Sequence, residues 1–483
     1  MLPRPNSKAV DRRERLKIPE SEPPRRPPEE RVADFAEPWA PIGLEWAKLA
    51  ARRCIQCPSA PCVKACPLGN DIPYALWQLE HGDVVAASRL FHATSSMPGI
   101  CGRICPQTEL CEGACVYIKQ DRVPVPIGRL EAWVTDRAAE IGSIPRSPPS
   151  RPTGRQVAVV GAGPAGITAA ERLVGQGHEV SMFDAWPAAG GLLLYGIPGF
   201  KLSPDRVRER VRRIGELGIR LFPETRIGTG LTVDDLVDRG FDAVLLAIGA
   251  GIGRPLAVEG AGLGGVHQAT PFLVRSHTPP ELLPEGTTPL TEIGARVAVI
   301  GGGDTAMDCV RTALRLGAQE ATVWYRRTEA EMPGNPRDRK LAVMEGARFE
   351  WLATPLGLEG DARGRVHSLR LVRMELGDPD ASGRRSPVAL PDSEFEVPVD
   401  DVILALGYLP DEGFVGRIAG LDTEPDGRIR VDPATGETSR PGIYAAGDDV
   451  LGPALVVDAV AHGIRAANAI HEFLSSGGSA ANR

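Results

Sequence analysis

Residues 157–184 read VAVVGAGPAGITAAERLVGQGHEVSMFD, and no other stretch constrains the fold as much. Four apolar residues (Val157, Ala158, Val159, Val160) predict a strand that runs into Gly161-x-Gly163-x-x-Gly166. A helical pattern follows, then a second strand over 178–183 that ends on Asp184. A β–turn–α–β unit with glycines at this spacing is the dinucleotide fingerprint. The first glycine makes the tight turn, the second lets a pyrophosphate touch the backbone, and the third lets the helix lie close to the strand. The helix N-terminus faces the phosphate charge. Asp184 stands 23 residues after Gly161, where a carboxylate can accept hydrogen bonds from ribose hydroxyls.

A lone glycine-rich turn is equally served by tight packing, so the repeat of the unit matters. Residues 297–327 read VAVIGGGDTAMDCVRTALRLGAQEATVWYRR, with Gly301-x-Gly303-x-x-Ala306 after the strand. Alanine in the third place is allowed by the fingerprint. The acid is missing from the second strand's end, where Arg326 and Arg327 stand instead. A carboxylate repels a 2′-phosphate and a guanidinium pairs with it, so the first unit reads as FAD or NAD type and the second as NADP type. Beyond the first unit, Gly190-Gly191-Leu192 lets backbone pass close to a flat ring, and the apolar run 243–248 ends at Gly249. Later, Gly447-Asp448 tips another strand, its acid suited to a ribityl hydroxyl. A helix predicted over 455–474 would aim its positive end at the flavin near N1.

Nine cysteines are present, and eight fall between Cys54 and Cys115. They run Cys54-x2-Cys57-x4-Cys62-x3-Cys66-Pro67, then Cys101-x3-Cys105-Pro106 and Cys111-x3-Cys115. In a reducing compartment such a cluster argues for metal rather than disulfides. Zinc ribbons favour paired Cys-x2-Cys knuckles, of which there is one here, and zinc is redox-silent beside two dinucleotide folds. The spacing therefore favours iron–sulfur clusters, and in ferredoxin-type runs the last Cys before Pro serves the other cluster, which sends Cys66 to a second site. Cys309 lies apart on the second fingerprint helix and reads as a small buried hydrophobe.

At 483 residues the chain has room for roughly three domains. Its net charge of −7 offers no basic field to nucleic acid. No apolar run reaches the ~18–20 residues of a membrane span, and the Arg-, Pro- and Glu-rich N-terminus has no signal-peptide core. A cytoplasmic α/β protein is expected, with two Rossmann-like dinucleotide-binding domains, one inserted in the other, behind a helical two-cluster iron–sulfur domain. The expected boundaries are an extended tail over 1–38, read as solvated with extension over a partner or another domain as the alternative, the iron–sulfur domain over 39–143, and a proline-rich linker over 144–153. The FAD-binding domain takes 154–290 and 401–474, the NADP(H)-binding domain takes 291–400, and 475–483 is a frayed tail.

The eight-cysteine domain, VAVVGAGPAGITAAERL, GGLLLYGIPGFKL, VIGGGDTAMDCVRTALRLGA, YRRTEAEMP and AAGDDV together resemble the small (beta) subunits of bacterial NADPH-dependent glutamate synthases. The resemblance covers about residues 40–474, and it extends to the N-terminal part of dihydropyrimidine dehydrogenase and to electron-bifurcating NADH-dependent ferredoxin:NADP oxidoreductases. It implies FAD, NADPH and two 4Fe-4S clusters. One cluster would take Cys54, Cys57, Cys62 and Cys115; the other would take Cys66, Cys105 and Cys111, with a fourth ligand from outside the cysteines. In dihydropyrimidine dehydrogenase that ligand is a Gln in an Ile-Gly-x-Leu-Gln context, and here Ile127-Gly128-Arg129-Leu130-Glu131 puts Glu131 there. Cys101 is the competing fourth ligand, since thiolate is the usual one. The implied chemistry is hydride from NADPH to the flavin, then single electrons through the clusters to a large partner subunit holding FMN, in a hetero-oligomer. There glutamine and 2-oxoglutarate become two glutamates. No general base is named, because the cofactors carry the chemistry. Electron input to another complex, such as a bifurcating transhydrogenase or an aldehyde or ferredoxin oxidoreductase, is the second reading; an iron–sulfur scaffold with vestigial nucleotide folds is the third.

Overall fold

Strands buried on both faces read as unbroken apolar runs, and the two that carry the fingerprints hold inner places in two five-stranded parallel sheets. The computed structural model describes residues 1–5, 10–20, 22–144, 150–380 and 383–480. In the first sheet the order is Ile443–Ala445, Ala243–Leu246, Gln156–Val160, Glu179–Phe183, Arg220–Phe222. Val157 lies opposite Val180 on one side and Ala243 on the other, and Val157, Ala158 and Val159 have no exposed surface. The second sheet runs Val266–Gln268, Asp401–Leu404, Arg296–Ile300, Glu320–Tyr325, Arg348–Trp351. A three-stranded antiparallel sheet, Ala353–Gly360, Val366–Pro379 and Arg385–Pro398, is appended to it. Arg348–Trp351 pairs parallel to Glu320–Tyr325, so the antiparallel sheet starts at Ala353.

One boundary is corrected. Residues 401–406 read from sequence as a return to the first fold, but Asp401–Leu404 is hydrogen-bonded between Val266–Gln268 and Arg296–Ile300 in the second sheet. The second fold also reaches back before residue 291, because Val266–Gln268 belongs to it. The chain leaves the first fold through Ile252–Gly253 and returns through Tyr408–Leu409, and these two segments pair antiparallel as a ribbon between the folds. A short buried strand that ends in glycine carries no mark of which parallel sheet it joins.

The cysteine-rich part is helical: Leu44–Arg52, Ile72–Glu80, Val84–His92, Pro98–Ile104 and Ile127–Glu140. The last two cross with backbones touching, since a Cβ on Gly102 would lie 2.6 Å from the Gly128 carbonyl oxygen. Cys54 and Cys111 sit in this domain's own core with Leu76, Phe91 and Leu130. Cys101 and Cys105 instead join the core of the first dinucleotide fold, with Val157, Leu193 and Val457. The expected linker lies partly outside the described residues; beyond it, Ser150 and Thr153 bond the end of the first fingerprint unit at Gly175 and Gly177.

Neither terminus is a solvated tail over its described length. Arg15 pairs with Glu80 at 2.5 Å, and Arg31, 1% exposed, stands 3.3 Å from Glu345 in the second dinucleotide fold. Phe35 stacks on Phe200 with ring centroids 6.2 Å apart. Prolines forbid long helices here, yet Arg15 and Arg31 each find a buried carboxylate far along the chain, which composition alone does not reveal. At the other end Ala480 is buried and donates its amide to the Asp242 carbonyl at 2.7 Å. Among the described residues no helix is long and apolar enough to cross a membrane.

A histidine pair ties the start of the first fold to its last helix. His178 Nε2 lies 2.9 Å from His471 Nδ1, and Thr153 Oγ1 lies 2.8 Å from the other ring nitrogen of His178. Burial, then the neighbouring His471, push His178 down to about 4. The unfolded imidazole, near 6.5, takes up a proton in a range where the folded one does not. Stability from this pair is therefore present above about pH 6.5 and is lost as pH falls toward about 4. Urea midpoints measured across that window should fall more steeply in the native protein than in His471→Asn; equal slopes would remove the pair from the account.

Candidate functional site

Between the two dinucleotide folds lies one cavity of about 1400 Å³, larger than the roughly 300–1,000 Å³ of a typical single-ligand pocket. Gly161, Gly163, Asp184, Gly191, Leu192, Gly249, Gly447 and Asp448 line it from the first fold. Gly301, Gly303, Arg326 and Arg327 line it from the second. Gly166 and Ala306 do not reach it; they sit where each helix meets its strand. A Cβ on Gly166 would lie 2.0 Å from the Gly161 carbonyl oxygen, and Ala306 has no exposed surface. Gly161 has φ +104°, and a Cβ there would meet the Ala247 oxygen at 2.2 Å. Nothing lies within 4 Å of a Cβ placed on Gly163 or Gly303, so space is open where phosphate approaches the backbone.

Three helix N-termini open on this cavity. Pro164–Gly175 follows Gly163, Asp304–Arg315 follows Gly303, and Val456–Ser475 follows Leu455; no N-cap side chain accepts from their first amides. Their orphan amides and positive ends are donors waiting for anionic or carbonyl oxygens. Asp184 accepts from the Ala162 amide at 2.6 Å and from the Trp186 amide at 2.8 Å, fixing the glycine turn. Each carboxylate oxygen keeps a second lone pair for a ribose hydroxyl. Burial pushes Asp448 up to about 7, against a hydrogen bond from the Ala454 amide. These features fit FAD and NADPH: two glycine cradles, three free helix ends and one shared space.

The arginine pair divides. Arg327 is 4% exposed, and its guanidinium donates to Asp380 at 2.6 Å and to the Arg385 carbonyl at 2.7 Å. Arg326 is exposed on the cavity wall, which Arg384 also lines. Both arginines expected at the strand end line the cavity, Arg326 exposed and Arg327 with its guanidinium already engaged by Asp380 and the Arg385 carbonyl.

The thiols form two neighbourhoods. All nine cysteines are free. Burial raises Cys54, and Cys62, Cys57 and Cys115 raise it further by their charge. Burial and then Cys115 raise Cys57, and burial, Cys115 and Cys57 push Cys62 up to about 12. Around the second group, Cys66 is raised by burial and by Glu131 and Cys101. Cys105 is pushed well up by the hydrogen bond its thiol donates to Cys101, by burial, and by the charges of Cys101, Glu131 and Cys111. Cys111 is pushed well up by burial, then by Glu112, Glu131, Cys66 and Cys62. Glu131, also pushed well up by burial and Cys101, accepts one hydrogen bond from Asn70 at 3.1 Å. Among the described residues no three His, Cys, Asp or Glu side chains close around a point as they would on a single metal ion. Buried thiolates stay deprotonated only beside positive charge, and an iron–sulfur cluster supplies it. Glu131 and Cys101 both face the second group, so five side chains compete for four places.

Sequence reasoning missed the residue that joins these sites. Ile104, immediately before Cys105, forms part of the cavity wall. Arg337 of the second fold donates to Gln107 Oε1 at 2.8 Å, holding that fold against the segment between Cys105 and Cys111. Trp186, Lys201, Asp308 and Tyr408 also line the cavity. Of these, Lys201 and Asp308 stood in stretches already singled out, GGLLLYGIPGFKL and VIGGGDTAMDCVRTALRLGA, and no spacing rule marked either.

Residues 155–463 match the family described as "Pyridine nucleotide-disulphide oxidoreductase". Residues 31–143 match "Dihydropyrimidine dehydrogenase domain II, 4Fe-4S cluster". Fold and site together define an iron–sulfur pyridine-nucleotide oxidoreductase. The chain is 39% identical over 462 residues to the "Glutamate synthase [NADPH] small chain" of Escherichia coli K12, across 94% of this chain and 97% of that one. It is 40% identical over 462 residues to the protein of the same name from Azospirillum brasilense, across 93% and 94%. The chain belongs to the family of glutamate synthase [NADPH] small chains. FprA of Mycobacterium tuberculosis in complex with NADPH superposes with a TM-score of 0.56 at 20% identity, over 68% of this chain and 85% of that one, a likeness of fold.

Proposed function

We propose that this chain is the NADPH-oxidising, electron-input subunit of a cytoplasmic glutamate synthase, acting in a hetero-oligomer with a large subunit that makes two glutamates from glutamine and 2-oxoglutarate. One observation carries the reading beyond family membership: Ile104, which lines the dinucleotide cavity, is followed directly by Cys105 of the second thiol group, and Cys105 sits in the core of the first dinucleotide fold. A bound FAD would supply the exchange of two-electron hydride chemistry with NADPH for the single-electron chemistry of iron–sulfur clusters. Gly161 and Gly163 cradle the FAD pyrophosphate, Gly166 lets its helix approach, and Asp184 takes the ribose hydroxyls. Gly191, Leu192 and Gly249 would bring backbone to the ring system, Gly447 and Asp448 would hold the ribityl chain, and the positive end of the Val456 helix would favour negative charge on the ring. Gly301 and Gly303 take the NADPH phosphates, Ala306 packs behind them, and Arg326 pairs with the 2′-phosphate while Arg327 braces the strand. Two clusters are assigned, one on Cys54, Cys57, Cys62 and Cys115, the other on Cys66, Cys105, Cys111 and Glu131.

Anaerobic NADPH-dependent dye reduction by the holoprotein, and glutamine-dependent glutamate formation once the large subunit is added, test the reading. Arg326→Ala should raise KM for NADPH by about tenfold, the worth of one charge-assisted hydrogen bond, and change KM for NADH by less than about twofold. Dye reduction that is absent in FAD-loaded protein would favour a scaffold; equal effects on both nucleotides would remove Arg326 from the 2′-phosphate.

A further inference from the structure

The loop 196–203 of the flavin-binding fold reaches into the nucleotide-binding fold and is gripped there. Phe200 has no exposed surface, and the guanidiniums of Arg311 and Arg315 lie 4.2 and 4.1 Å from its ring centroid. The next residue, Lys201, places Nζ 3.0 Å from Asp308 Oδ1 and 3.0 Å from Asp338 Oδ2. The three side chains are 13%, 8% and 7% exposed. Asp308 belongs to the helix Asp304–Arg315, whose N-terminus opens on the cavity, and Asp338 to the helix Pro336–Met344. Lys201 and Asp308 line the cavity, and Asp338 lies behind them. One ammonium from the first fold thus grips two helices of the second at the wall of the shared space. Burial alone would discharge it, but Asp308 and Asp338 outweigh burial and hold it charged.

We propose that Lys201 is a positioning residue for hydride transfer: by bridging Asp308 and Asp338 it fixes the helix that receives the nicotinamide nucleotide at a set distance from the flavin-binding fold. The inference rests on the NADPH-oxidising reading above. Hydride transfer is steep in donor–acceptor geometry, and a misplacement near 1 Å costs about 100-fold. A lysine that only stabilises the fold changes unfolding and leaves the transfer rate alone. One that binds nucleotide weakens its affinity. A positioning residue lowers the rate at saturating nucleotide.

The experiment is anaerobic stopped-flow bleaching of the FAD-loaded, cluster-loaded protein by NADPH, with NADP⁺ affinity measured by calorimetry. In Lys201→Met the saturating bleaching rate should fall about 100-fold while the NADP⁺ Kd stays within about threefold. The long-wavelength charge-transfer absorbance on mixing with NADPH should weaken in parallel, and Lys201→Arg should recover most of both. Asp338→Asn, which removes the partner behind the cavity, should move rate and absorbance in the same direction by less; it also serves if the Lys201→Met protein loses FAD. A native rate and absorbance in Lys201→Met, or in Asp338→Asn where that variant serves, overturns the proposal, as does a loss confined to Kd. Native protein whose flavin NADPH does not bleach would refute the NADPH-oxidising reading itself, a different outcome from native and variant bleaching alike.

Discussion

Glu345→Ala should cost about 3–5 kcal/mol of stability, the amount lost when a buried ion pair is broken from one side. Glu345 has no exposed side-chain surface and faces three guanidiniums. Arg311 meets it with two hydrogen bonds of 2.9 Å, Arg315 with one of 2.8 Å, and Arg31 stands at 3.3 Å. Burial pushes the carboxyl up, but the hydrogen bonds and charges of Arg311 and Arg315 prevail and hold it below its ordinary range. Removing it leaves three cations in a site where none of their side chains is more than 1% exposed. Because Arg31 comes from the N-terminal segment, the same substitution should free that segment, and amides of residues 28–35 should exchange faster. Urea unfolding of the FAD-loaded protein checks the first result and hydrogen exchange the second. A loss under about 1 kcal/mol would mean that water already reaches the arginines. Arg311→Met combined with Glu345→Met should be milder than the sum of the two, because it removes a charge of each sign together.

Such a residue shows where sequence reading stops. The two glycine turns, Asp184, Asp448 and the thiol spacing were legible because each depends on neighbours within a few dozen residues and on backbone rules that any chain obeys. Glu345 was not, since its three partners arrive from the N-terminus and from another helix, and nothing local distinguishes it from a solvated glutamate. Asp401–Leu404 was misassigned for a related reason: hydrophobic pattern reports burial, not address. Arg327 read as a partner for a 2′-phosphate because the strand end is visible in sequence, whereas Asp380, which engages its guanidinium, sits just past the strand Val366–Pro379 of the appended antiparallel sheet. Lys201 needed two aspartates from two other helices to acquire meaning. What the sequence conveys well is local geometry; what it hides is long-range charge pairing.

That limit bears on the thiols as well, and the largest functional effect is expected there. Cys105→Ser should leave NADPH-dependent flavin bleaching within about threefold of native, since Gly161, Asp184 and the helix ends are untouched. Glutamate formation in the complex should fall by more than the roughly 10–100-fold that losing a mere neighbour of a metal ligand costs. The reason is position: Cys105 is 9% exposed, follows Ile104 in the cavity wall and shares the flavin fold's core. A cluster missing this ligand interrupts the route at its first step out of the cavity. Parallel losses of bleaching and glutamate formation would instead mean that the thiol supports the flavin site itself. The fourth ligand follows from the same series, read by electron paramagnetic resonance of the reduced protein. Glu131 keeps a single protein hydrogen bond among those described, from Asn70, and a buried carboxylate so placed gains most from adjacent iron charge. Cys101 already interacts with the Ser95 hydroxyl at 3.9 Å and with Cys105. Glu131→Ala should therefore alter one cluster's signal and spare the other, with Cys101→Ala leaving both near native. The reverse pattern would give the place to Cys101 and leave Glu131 as the charge that sets the cluster's potential from outside.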